Sequence, residues 1–163
     1  MHTQPSGAAY DVVLLLHVAC VVAGTVTVAT AAATARRLGR IARTATQLPD
    51  TLRRYFRPGV NWAGRIVYGI PVFGFALVAM SHGAYAVTDL WVLSGLVLFV
   101  VLALVAEGVL WPAERRLQQA LAGTGAPTGA TVTVTADAAR MEQAASAVIV
   151  LLIVATVLMI AQP

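Results

Sequence analysis

Eight of the eleven arginines in this chain fall between Arg36 and Arg65, in the gap between two long apolar stretches. This asymmetry constrains both the solvent in which the chain folds and its direction in that solvent. Positive side chains close to membrane-spanning helices collect on the cytoplasmic side, so residues 36–65 are expected to face the cytoplasm. The balance of the chain agrees, with 59% hydrophobic and 11% charged residues, where a soluble domain carries about a quarter charged. The net charge of +4 would elsewhere suggest nucleic acid. Here the basic residues border apolar spans and are read as topology determinants and contacts to anionic lipid, worth about 1 kcal/mol each near the surface. No nucleic-acid partner is expected.

Four stretches are long and apolar enough to cross a bilayer, at about residues 10–35, 60–82, 90–111 and 143–161. Each supplies roughly the 20 residues that ~30 Å of hydrocarbon requires, and backbone groups in lipid must be satisfied within the segment, which makes the spans helices. The expected fold is an all-α, integral membrane four-helix bundle. It forms a single membrane domain over residues 1–163, with both termini outside and cytoplasmic loops at about 36–59 and 113–140. A multi-pass protein of the plasma membrane follows. The first span is not read as a cleaved signal: Met1–Tyr10 holds no Arg or Lys, and Arg36 and Arg37 follow the apolar run, the reverse of a signal peptide.

Aromatic residues give a second ruler. Trp91 and Trp111 are 20 residues apart, about 30 Å along a helix, and mark the two interfaces that amphipathic rings prefer. Trp62, Tyr55 and Phe56 are assigned to the inner belt, and Tyr10 and Tyr85 to the outer one. Gly83–Asp89 is short enough to make the second and third spans antiparallel neighbours. In the first inner loop, Leu48, Leu52, Tyr55 and Phe56 are expected to lie on the membrane surface as an amphipathic piece. In the second, a Gly/Pro/Thr run at 123–129 leads into Thr131–Thr135, which alternates like an extended strand, and Asp137 is placed as the N-cap of the last helix. Ala19, Ala23, Thr27, Ala31 and Ala35 recur every four residues and are read as a close-packing face. Pro71 predicts an irregular helix near Ile66–Ile70.

The residues that could carry chemistry are few. His17 and Cys20 share a helix face, Met80 and His82 end the second span on the same side, and Met159 lies near the outer end of the fourth. Imidazole, thiol and thioether suit copper, and a pair of histidines such as His17 and His82 can ligate haem iron. The alternative is packing, with His17 hydrogen-bonded across helices. Glu107 stands on an otherwise apolar helix. It is read as a structural ion pair with Arg65 or Arg37, or as a proton site. The sequence holds no nucleophile elbow and no phosphate-binding loop, so an enzyme is not the favoured class.

Three passages resemble the small four-helix family of predicted integral membrane proteins distantly similar to the copper-resistance D-type membrane domain. They are Leu14-Leu-Leu-His17-Val with the Arg36-Arg37 exit, Gly74…Asp89-Leu-Trp91, and Trp111-Pro-Ala-Glu-Arg-Arg-Leu117. The sequence departs from that pattern at Val22-Ala-Gly24-Thr, where the family carries Trp-Leu-Gly-Gly. The resemblance implies the fold and a role for His17 in metal or haem handling. Two functional readings result. One is a non-catalytic accessory or assembly subunit of a larger membrane complex, such as a respiratory one, packed against other subunits or a second copy. The other is a haem b- or copper-binding membrane protein using His17, and a proton-coupled carrier centred on Glu107 stands behind both.

Overall fold

A computed structural model describes residues 7–44, 47–81, 83–123 and 129–161. Every regular element among them is helical. The order is α1 (Ala8–Thr44), α2 (Asp50–Tyr55), a 3₁₀ turn (Gly64–Tyr68), α3 (Gly69–Met80), α4 (Leu90–Val105), a π turn (Ala106–Leu110), α5 (Trp111–Ala122) and α6 (Gly129–Ile160). Three helical stretches are long and apolar enough to cross a membrane: Ala8–Thr44, Leu90–Ala122 and Val132–Ile160. Gly64–Met80 is apolar but shorter. The protein is therefore an all-helical membrane protein.

α1 buries His17, Cys20, Gly24, Val28, Ala31, Ala32, Ala35, Leu38 and Gly39. Apart from Ala32, the run from His17 to Leu38 advances in steps of three or four residues, which follows the 3.6-residue turn. A strict four-residue step gains about 40° at each repeat and drifts around the helix. That drift corrects the expected small-residue face: Ala31 and Ala35 are buried, whereas Ala19 has rotated to the surface. On α6 Val134, Ala138, Met141, Ala145, Val148 and Leu152 are buried and follow the alternating four-three step of a heptad seam, with buried Ala144 beside it.

The helix from Leu90 to Ala122 keeps its buried face by a different device. Leu102, Ala106, Leu110, Ala113 and Leu117 are buried, with two successive steps of four where a regular seam would take a three. The π turn at Ala106–Leu110 absorbs one extra residue and returns the following helix to register. Pro112, which has no N–H to give to the preceding turn, is the second residue after this turn.

Contacts divide the chain into two compact units. One comprises Met1–Thr27, Asn61–Val101 and Val150–Pro163; the other comprises Val28–Val60 and Leu102–Ile149. The second unit holds every arginine except Arg65. Within it, Arg36 Nε meets Glu142 Oε1 at 2.7 Å, joining α1 to α6. Asp137 accepts from Arg116 of α5 at 3.3 Å and from Arg140, one turn along its own helix, at 3.4 Å. Gly39 of α1 faces Ala138 of α6, where a Cβ would make an ordinary contact with the Ala138 methyl at 3.6 Å.

Three further expectations are corrected in this basic unit. The connections at 36–59 and 113–140 carry helix: α1 continues to Thr44, α5 runs to Ala122 and α6 begins at Gly129. Thr131–Thr135 is helical rather than extended; its alternation is overridden because the chain on both sides winds as one helix. Asp137 consequently lies well inside α6 and serves as an ion-pair partner, not as an N-cap. Leu52 and Phe56 do not lie on a lipid surface. They are buried at 5% and 2% exposure within the protein, while Arg53, Arg54 and Arg57 remain exposed.

Candidate functional site

The chemistry read from the sequence centres on His17, and the structure buries it in the first unit. Its side chain is 7% exposed on α1, and Nδ1–H donates to the backbone carbonyl of Ile70 in α3 over 2.9 Å. The direction of this bond is fixed, because a carbonyl oxygen only accepts. Gly74 makes the approach feasible. A Cβ at that position would stand 3.4 Å from His17 Cε1, already in contact with the imidazole, so a side chain larger than alanine would crowd it.

The neighbouring turns show why the ring reaches the α3 backbone at all. Gly24 of α1 faces Val67, with a built Cβ only 2.8 Å from Val67 Cγ1, and Gly69 of α3 faces Cys20, with a built Cβ 2.7 Å from Sγ. Two glycines on opposite partners bring the helices together, as small residues do where lipid offers no hydrophobic drive. The 3₁₀ turn at Gly64–Tyr68 gives way to α3 two residues before Pro71, the irregularity that the missing proline N–H predicts. Asn61 Oδ1 accepts from Gly64 N–H at 3.1 Å and holds the start of the turn.

Beside His17 lies a cavity of about 500 Å³, bounded by α1, α3, α4 and the end of α6. Its walls are aliphatic and aromatic. Tyr10, Phe75, Tyr85, Trp91 and Phe99 supply the rings, and Gly74 and Gly95 leave room between them. Tyr85 and Trp91 meet edge to face at 5.3 Å between centroids, and Tyr68 meets Phe99 in the same way at 6.3 Å. The lining residues with a polar group in the side chain are His17, Tyr10, Tyr85, Trp91 and Thr156, and the Thr156 hydroxyl donates to Leu152 O at 2.8 Å.

The other residues singled out from the sequence distribute unevenly around this site. Met159 lines the cavity with His17. Cys20 is buried one turn along α1, packed against Gly69, and does not line it. Met80, half-buried at the end of α3, does not line it either, and His82 lies outside the described residues. Among the described residues no group of three or more His, Cys, Asp or Glu side chains is gathered as a metal site. Glu107 is exposed on the π turn, Arg65 is half-buried in the 3₁₀ turn and Arg37 is exposed on α1.

Sequence reasoning missed three polar side chains of the second unit. Glu114 and Gln118, which fall in the second cytoplasmic connection, are buried at 3% and 7% exposure. Trp111, assigned to an interfacial belt, is buried at 5%, and its indole Nε1–H has no hydrogen-bond partner among the described residues. The signal was present in the spacing of Leu110, Ala113, Glu114, Leu117 and Gln118, which share one helical face. Their polarity concealed it.

Comparison with family models, with characterised proteins and with solved structures found no match to this chain.

Proposed function

We propose that this chain is a small, non-catalytic integral membrane protein whose helices hold a hydrophobic ligand in the cavity beside His17. One observation carries the reading: a cavity of about 500 Å³ with mostly apolar walls is lined by a single buried imidazole held in place by a backbone carbonyl. Small-molecule sites have this character, with volumes of roughly 300–1,000 Å³ and a few placed polar groups. A buried histidine within a membrane helix is itself a functional candidate.

The membrane arrangement belongs to the same proposal. The 3₁₀ turn and α3 together extend about 28 Å, close to the ~30 Å of a hydrocarbon core, so the short helix serves as the fourth crossing. The excess of arginines expected on the cytoplasmic side supports α2 and the α5–α6 connection facing the cytoplasm and both termini facing outward, in the plasma membrane. Cysteines introduced at Ala8 and Gln47 in a Cys20→Ala background test this. A membrane-impermeant thiol reagent should label the first from outside and the second only after lysis. Labelling of both on intact cells would overturn the orientation.

Within the cell, the reading as an accessory subunit of a larger complex, such as a respiratory one, gives such a site a place. The second ligand chemistry is haem. A histidine that donates one ring N–H to a carbonyl leaves the other nitrogen suited to iron, and Met159 shares the cavity. Copper is less favoured, since Cys20 and Met80 do not line the site. Protein gently extracted from its native membrane should carry about one extractable hydrophobic molecule per chain, identified by absorption and mass spectrometry together with any partner subunits. Protein that carries none and takes up no hydrophobic probe would refute the ligand site.

A further inference from the structure

We infer that the cavity recognises a lipophilic ring compound bearing a hydroxyl group, of the quinol or phenol class, and that the hydroxyl donates to Nε2 of His17. The inference rests on the ligand-site reading above and names its chemistry. The Ile70 carbonyl can only accept, so the hydrogen bond at 2.9 Å places the proton of the neutral ring on Nδ1 and leaves Nε2 as a lone pair. His17 is more than nine-tenths buried, and Nε2 has no hydrogen-bond partner among the described residues. The Nε2 atom itself is not fully enclosed, so a ligand can reach it. A ligand that uses this acceptor brings an N–H or O–H into a hydrophobic space.

The walls narrow the choice. An acyl chain would fill the volume but offers nothing to a lone pair. Haem would satisfy Nε2 with iron, but it also brings two propionates, and no arginine is among the lining residues. A hydroxylated aromatic ring brings one donor, requires no cation, and presents faces and edges to Phe75, Tyr85, Trp91 and Phe99, which favour offset and edge contacts with another ring. Tyr10, Tyr85 and Trp91 are also lining residues, and a tyrosine hydroxyl or an indole N–H can donate to a second oxygen on the ligand. A quinol has such an oxygen.

The test is equilibrium binding of decylubiquinol to the purified full-length protein in detergent, beside its dimethyl ether, which keeps the shape and loses both hydroxyl protons. The wild type should bind one quinol per chain and hold it at least tenfold more tightly than the ether. His17→Leu should lose that discrimination while keeping its helical circular dichroism. If His17→Leu does not fold, Gly95→Val serves as a second variant; it intrudes on the cavity without touching the imidazole and should weaken quinol binding. Equal affinity for quinol and ether would leave the hydrophobic site standing and overturn the hydroxyl recognition. A Soret band on haem addition that His17→Leu abolishes, with no quinol binding, would also overturn it and favour haem. Failure to bind any of the three would sink both readings.

Discussion

The contact of Gly24 with Val67 allows the packing of α1 against the 3₁₀ turn to be tested quantitatively. In Gly24→Ala the new methyl would stand 2.8 Å from Val67 Cγ1, with Val67 Cα and Cβ already at 3.6 and 3.7 Å. Contact between carbons is comfortable at about 3.5–4.0 Å, so the interface has to open by roughly 1 Å. Val67 cannot turn aside cheaply, because a β-branched side chain is stiff at χ1 and this one is only 1% exposed. Overpacking of this kind costs about 1–3 kcal/mol, and better helix propensity returns about 1 kcal/mol of it.

Val67→Ala removes Cγ1 and leaves ordinary contacts for the same methyl. The clash should therefore vanish in the double variant, and a cycle of the four proteins should show a favourable coupling of about 1–3 kcal/mol. Reversible unfolding in mixed detergent micelles, followed by far-ultraviolet circular dichroism, measures it. If Gly24→Ala has the same effect with valine or alanine at position 67, close approach at this point is not what seats α1, and the argument that places His17 against α3 loses its support.

Gly74→Val should crowd the His17 ring, which a Cβ would already touch at 3.4 Å, and reduce quinol affinity several-fold with little change in helicity; unchanged affinity would show that Gly74 does not set the ring's position. Ala136→Pro separates the helical from the extended reading of the chain before Asp137: in α6 it should cost about 3 kcal/mol, measured by the same unfolding assay, whereas an irregular connection would tolerate it. Among the ion pairs, Arg36→Ala should cost under about 1 kcal/mol, since the Arg36 side chain is 59% exposed and exposed pairs contribute little. Asp137→Asn should cost more than Arg36→Ala, because a carboxylate 14% exposed serves two arginines; the reverse order would refute the assignment of Asp137 as the junction of α5 and α6.

The membrane class was legible in the sequence because it depends on sums. Runs of apolar residues decide whether a segment prefers lipid, and an arginine-rich gap biases its direction, whatever the detailed packing. His17 was legible for a related reason: a histidine in a hydrophobic helix is conspicuous whichever way it faces. The line of Ala31 and Ala35 could be read too, although the strict four-residue repeat overran the turn of the helix at Ala19.

Facing and partnership depended on the tertiary structure. Thr131–Thr135 alternates like a strand, and only continuity with the rest of α6 makes it helix. Asp137 has the chemistry of an N-cap and becomes an ion-pair centre because Arg116 arrives from α5. One residue absorbed in a π turn decides that Leu110 and Leu117 face inward, a phase shift that composition does not encode. The sequence by itself determined that this chain lives in a bilayer and that its chemistry is concentrated at few residues. Tertiary structure decided which of those residues share a space. It joined His17 to Ile70, Met159 and a ring of aromatic side chains, and left Cys20 packed against Gly69, because the approach of α1 to α3 depends on two glycines more than forty residues apart in the chain.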